Sequence, residues 1–259
     1  MLPALCLAVG WAGRCIPAEP LPVEAARHTL QLADPGLVVE CVASEPDVVS
    51  PVAMAWDHRG RLFVAEMRDY PSASTGGAIR LLTDNDHDGR MDASRVFAEG
   101  LSFPNSVLPW RDGILVTAAP DILFLRDTDD DGRADERHVL FTGLGTGNQQ
   151  LRANGLTMGL DGWVHAANGR SDGSLRAVET LRDGRWSRPD SPALSIRGRD
   201  FRFLPDGGRA ETMAGRSQFG LGLDDWGNRF LSWNTIPARH EVLPDGFLER
   251  NPEIGRAHV

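Results

Sequence analysis

Residues 51–66 read PVAMAWDHRGRLFVAE: an apolar strand, a turn from Asp to Gly, and a second apolar strand. The same order recurs in PNSVLPWRDGILVTAA (104–119), ANGLTMGLDGWVHAAN (153–168) and QFGLGLDDWGNRFLSWN (218–234). Each copy is a β-hairpin signal with Gly where the chain turns tightly. Further short apolar runs bounded by Gly, Pro or Asp fill the chain: LVVECVA (37–43), AIRLLTD (78–84) and DILFLRD (121–127). No long helical period interrupts them, and a short helix is expected only around residues 24–32. Hairpins that repeat at this length predict an all-β protein, a β-propeller rather than a β-sandwich, whose hairpins have less reason to repeat. Four hairpins with strands between them amount to about four to five blades, an incomplete six-bladed ring.

A second repeat overlies the first. DNDHDGRMD (84–92) and DTDDDGRAD (127–135) share the pattern D-x-D-x-D-G-x-x-D, and the spacing from Asp84 to Asp127 is 43 residues. Ca²⁺ takes six to eight oxygens in a flexible shell, and carboxylates at alternate positions can point at one centre. Gly at the sixth position permits the sharp turn. The expected ligands are the side chains of Asp84, Asp86, Asp88 and Asp92 with the Arg90 carbonyl, and those of Asp127, Asp129, Asp131 and Asp135 with the Arg133 carbonyl. An EF-hand needs a bidentate Glu at position twelve, where this chain has Arg95 and His138. The nine-residue form resembles the calcium loops between strands of propellers such as the integrin head. The plain alternative is an Asp-rich turn facing water.

Composition is that of a soluble globular protein, 41% hydrophobic and 24% charged, with a net charge of −9. Nine of the acidic residues lie in the two loops, so the charge reports on metal loops rather than on partners. Every basic residue is Arg. No Arg cluster with interleaved aromatics appears, and nucleic-acid binding is not expected. Cys6, Cys15 and Cys41 make no disulfide framework; Cys41 reads as a small buried hydrophobe in the 37–43 strand. Residues 1–18 resemble a secretory leader lacking its positive start, followed by a linker at 19–36 and blades at 37–252. Export to the periplasm or beyond is expected, with membrane association open, because weak calcium sites fill where free calcium is plentiful. Residues 253–259, EIGRAHV, match a translated sequencing adapter, so a truncated gene product is expected.

ASEPDVVSPVAMAWDHRGRLFVAEMRDYP (43–71), LRANGLTMGLDGWVHAANG (151–169) and SQFGLGLDDWGNRF (217–230) resemble the planctomycete-type membrane-bound dehydrogenase proteins. Their N-terminal propeller is similar to glucose/sorbosone dehydrogenases, which use pyrroloquinoline quinone (PQQ) and calcium. The resemblance implies sugar or alcohol oxidation, a sugar or glycan partner, and helical-repeat or haem domains beyond this chain, which itself has no C-x-x-C-H. It also places Leu151 where the sugar dehydrogenases carry a catalytic His, and Leu cannot take a proton. Arg152, Asn154, His165 and His240 are the remaining candidates for channel chemistry. A non-catalytic propeller for glycan or protein binding is the competing expectation. Asp57, Asp161 and Asp224 read as turn formers, and Trp56, Trp163, Trp226 and Trp233 as blade core.

Overall fold

A computed structural model of the chain describes residues 20–68, 70–72, 75–243, 247 and 250. The leader at 1–18 and the tail at 253–259 lie outside the described residues. The chain divides into two compact units, residues 1–41 and 42–259. In the first, helix α1 (Val23–His28) is the short helix expected around 24–32, ending earlier.

The second unit is a β-propeller of four blades among the described residues. Blade 1 is the meander β1 (Pro51–Trp56), β2 (Leu62–Glu66), β3 (Gly77–Thr83) and β4 (Ala93–Leu101). Blade 2 is β5 (Ser106–Trp110), β6 (Gly113–Ala118), β7 (Asp121–Arg126) and β8 (Glu136–Leu144). Blade 3 starts with β9 (Asn154–Met158) and β10 (Val164–Ala167). Its chain then leaves through β11 (Gly173–Ala177), β12 (Thr180–Arg182), β13 (Arg185–Ser187) and β14 (Leu194–Ser195), and returns as β15 (Asp200–Leu204) and β16 (Arg209–Met213). Blade 4 comprises β17 (Leu221–Leu223), β18 (Arg229–Leu231) and β19 (Arg239–His240). The first strands lie side by side, β1 next to β5, β5 next to β9 and β9 next to β17. Sheets arranged radially about their first strands make the propeller, and all four hairpins of the repeat are β-hairpins in it.

Packing explains why the strand sequences are apolar throughout rather than alternating. Ile114, Val116 and Ala118 of β6 pack against Phe63, Ile79 and Phe97 of blade 1. Leu115, between them, packs the other way with Val164, Phe201 and Phe203 of blade 3. A strand buried on both faces needs an apolar residue at every position. An edge-to-face pair, Phe141–Phe203 at 5.2 Å between ring centroids, bridges the seam between blades 2 and 3, and a second, Phe63–Phe97 at 5.1 Å, forms the face that blade 1 turns to blade 2.

Two expectations need correction. LVVECVA (37–43) forms no strand, and Cys41 is half-buried there rather than buried. In the second unit, Val42 instead gives its carbonyl to Met91 N at 3.0 Å and packs with Val48, Leu62 and Leu82. An apolar run becomes a strand only where a neighbour's backbone pairs with it. The four Trp are not blade core either. Trp56 and Trp226 are exposed, at 50% and 83%. Trp163 lies beneath Arg202 and Arg209, and Trp233 beneath Arg170 and Arg239. They stand near turns and blade rims, where a guanidinium rather than a neighbouring sheet covers the indole.

The insertion between β10 and β15 was not foreseen. Its strands β11 and β14 join the outer edge of blade 2, with Ala177 opposite Phe141 and Leu175 opposite Leu194, making that sheet six-stranded. Covering β8 in this way removes an exposed strand edge.

Candidate functional site

Strands alternate in direction, so the β1–β2 and β3–β4 turns lie at one end of a blade and the β2–β3 and β4–β5 connections at the other. The first end carries the two acidic loops. The second surrounds the mouth of the central channel.

The acidic loops, between β3 and β4 and between β7 and β8, share one conformation. Asp84 accepts from His87 N at 2.7 Å and Gly89 N at 2.9 Å; Asp127 accepts from Asp130 N at 2.7 Å and Gly132 N at 2.8 Å. Asp86 accepts from Asp88 N, and Asp129 from Asp131 N, both at 3.2 Å. Arg90 N and Arg133 N donate to Asp88 and Asp131, both at 2.8 Å. Gly89 and Gly132 hold left-handed φ values of 90° and 85° at the sixth position, which a side chain would resist. Carboxylate oxygens of Asp84, Asp86 and Asp88 gather within 4.8 Å of one another, as do those of Asp127, Asp129 and Asp135. Oxygens on one Ca²⁺ at about 2.4 Å stand at most about 4.8 Å apart, so the hard-oxygen donor set fits that ion. Asp92 and Asp131 stand outside these triplets: Asp92 accepts from Asn85 N at 2.6 Å. Hydrogen bonds from the Thr128 amide and hydroxyl hold Asp135 below the usual carboxylate range. Desolvation works against Asp84, yet the Gly89 and His87 amides keep it low as well.

The second loop also grips blade 1. Arg95 of β4 donates to the Asp131 carbonyl at 2.7 Å, Ala134 N donates to Phe97 O at 2.8 Å, and Arg59 pairs with Asp130 at 3.1 Å. Met91 stands in the first loop where Ala134 stands in the second. Its amide takes the Val42 carbonyl, so residue 42 fills the place of a preceding blade's outer strand.

At the other end, a cavity of about 690 Å³ opens at the channel mouth. Val52, Asn105, Asn154 and Phe219, the second residue of each hairpin copy, all line it, with Tyr70 and Gln150 at its rim. Gln150 Nε2 donates to the Tyr70 hydroxyl at 2.7 Å. Asn105 Oδ1 is buried without a hydrogen-bond partner, and the Phe219 ring is 50% exposed. Gly155 makes the close approach of β9 to blade 4: with φ 63°, a Cβ there would stand 2.7 Å from the Gly220 Cα.

Of the four channel candidates, only Asn154 lines this cavity. Its amide bridges the carbonyls of Arg152 and Gln218, both at 2.9 Å, and ties blade 3 to blade 4. Arg152 is 6% exposed and holds Ser102 Oγ and Thr146 O, with the Phe103 ring 4.8 Å from its guanidinium. Burial lowers its affinity for the proton. His165 is buried at the turn end of blade 3, its Nε2 3.2 Å from Asp161. His240 is exposed and stacked on Phe230 at 4.9 Å. Asp57 and Asp224 cap their turns, each accepting two backbone amides, from Arg59 and Arg61 and from Trp226 and Asn228; Asp161 accepts from Trp163 N.

The sequence profile of a family described as "Domain of unknown function (DUF7133)" matches residues 22–259. The chain belongs to that family. No curated protein matches this DUF7133 chain. Among solved structures, the Pseudomonas aeruginosa periplasmic gluconolactonase, PpgL, is similar at 16% identity and a TM-score of 0.39. The alignment covers 75% of the DUF7133 chain and 56% of PpgL, so the chain spans just over half the length of that structure.

Burial, opposed by the Asp161 hydrogen bond, lowers the His165 pKa from its ordinary value. The unfolded chain therefore takes up a proton first as pH falls. The neutral-His contribution to stability is present above about pH 6.5 and is lost below it, down to the folded pKa. Melting temperature is expected to fall from about pH 7.5 to about pH 5.5, and His165→Gln to flatten that slope.

Proposed function

We propose that this chain is a calcium-stabilised propeller whose channel mouth binds a neutral polyhydroxylated ligand, a sugar or glycan. The observation that carries the ligand class is the chemistry of the lining. Asn105, Gln149 and Gln150 offer amides, Ser106 and Tyr70 offer hydroxyls, and Phe219 offers an open ring face. Tyr70 is the one titratable side chain among the described lining residues. Amides and hydroxyls match alternating donors and acceptors on a sugar. PQQ carries several carboxylates, which call for cations that the described lining does not offer. The binding reading therefore precedes the dehydrogenase one, and no step is derived through the quinone. Calcium would be held by the triplets Asp84, Asp86, Asp88 and Asp127, Asp129, Asp135, with the Arg90 and Arg133 carbonyls and the remaining loop carboxylates completing each shell. Supplying both loops favours an exported location, where calcium is plentiful.

Isothermal titration of the calcium-loaded chain with a saccharide panel tests the reading. Saturable binding is expected, weakened about tenfold by Phe219→Ala and by Asn105→Ala. Absence of saccharide binding, with PQQ binding and dye-linked sugar oxidation in its place, would establish the dehydrogenase instead.

A further inference from the structure

A second cleft, of about 280 Å³, lies between blades 1 and 2 at the end carrying the acidic loops. It is lined by Arg59, Arg61, Arg95, Thr83, Asn85 and Asp130. Arg59 and Arg61 come from the β1–β2 turn, Arg95 from β4, and Asn85 and Asp130 from the two loops. Arg59 pairs with Asp130 at 3.1 Å and Arg61 with Asp57 at 2.8 Å. Arg95 meets a neutral acceptor, the Asp131 carbonyl, at 2.7 Å. Within the lining, three guanidiniums thus stand against the one carboxylate of Asp130, while Asp57, outside the lining, takes Arg61. Each guanidinium carries five N–H donors in a rigid fork, a geometry that matches oxyanions.

We propose that this cleft binds a tetrahedral oxyanion, sulfate or phosphate, free or carried on a saccharide. Thr83 and Asn85 add neutral donors at its wall. Asp130 and Gly132 of the second loop line the cleft, and the carboxylates that flank them in that loop repel an anion until a cation offsets them. Oxyanion binding is therefore tied to calcium loading, and by linkage each raises the affinity of the other. That coupling rests on the calcium reading above; the cleft itself does not.

The experiment is calorimetric titration of the whole chain with sodium sulfate, against sodium chloride at matched ionic strength, with calcium and after chelation. Saturable sulfate binding is expected in calcium. Arg95→Ala should weaken it by about tenfold or more, and Arg95→Lys, which keeps the charge without the fork, should weaken it too. Arg209→Ala, an exposed guanidinium on blade 3, should leave it unchanged. Sulfate heat no larger than that of chloride, or unaltered binding by both Arg95 variants, overturns the proposal. Equal sulfate affinity with and without calcium upholds the cleft and overturns the coupling. A sulfated disaccharide that binds more tightly than sulfate assigns the anion to a saccharide, and equal affinity assigns it to the free ion.

Discussion

Asp200→Ala is expected to lower the stability of the propeller by about 3–5 kcal/mol, the range for breaking a buried charged network. Asp200 is fully buried at the start of β15. One oxygen accepts from Asn168 N at 2.9 Å and Ser217 N at 2.8 Å, and the other from Ser217 Oγ at 2.5 Å. The Arg229 guanidinium stands 3.8 Å away. Alanine would leave two amides, a hydroxyl and part of a guanidinium buried without an acceptor. These groups join blade 3 to the chain entering blade 4, so the loss falls on the seam beside the channel. Asp200→Asn keeps the oxygen that takes both amides and should cost less. Urea unfolding of these variants, beside the exposed Asp190→Ala as a control within about 0.5 kcal/mol of the parent, measures the difference.

Removing calcium is expected to have the next largest effect, and an unequal one. A ligand that binds only the folded state adds about 2.7 kcal/mol when present at about a hundred times its Kd. The second loop passes that stabilisation to the seam between blades 1 and 2 through Arg95, Ala134 and Arg59. The first holds residue 42 through Met91. Asp129→Ala should therefore lower the melting temperature in calcium more than Asp86→Ala, the equivalent change in the first loop. Equal losses would show that the blade seam does not draw on the metal.

The hairpins were legible because their turn chemistry is local: Asp57 and Asp224 cap D-x-x-G turns whose geometry needs nothing from the rest of the fold. The doubly buried strands were legible as continuous apolar runs. LVVECVA was misread because its pattern is that of a strand while strand formation depends on a partner. The insertion strands GSLRA, TLR, RWS and LS escaped for the opposite reason: they are short, and the pairing of GSLRA and LS with blade 2 and of TLR with RWS leaves little periodic signature. The cavity residues carried a signal that chemical motifs conceal. Val52, Asn105, Asn154 and Phe219 share no chemistry, yet they occupy one position of the repeat, and a propeller brings that position to its axis. Reading by phase rather than residue type would have found them. His165 and His240 drew notice by type alone, and one is buried against Asp161 while the other stacks on an outer hairpin.

Calcium titration of the chelated, desalted chain by calorimetry tests the central claim most directly. Saturable uptake of two ions per chain is predicted, reduced to one by either Asp86→Ala or Asp129→Ala and abolished by the pair. No saturable uptake, or uptake unaltered in the double variant, would contradict it.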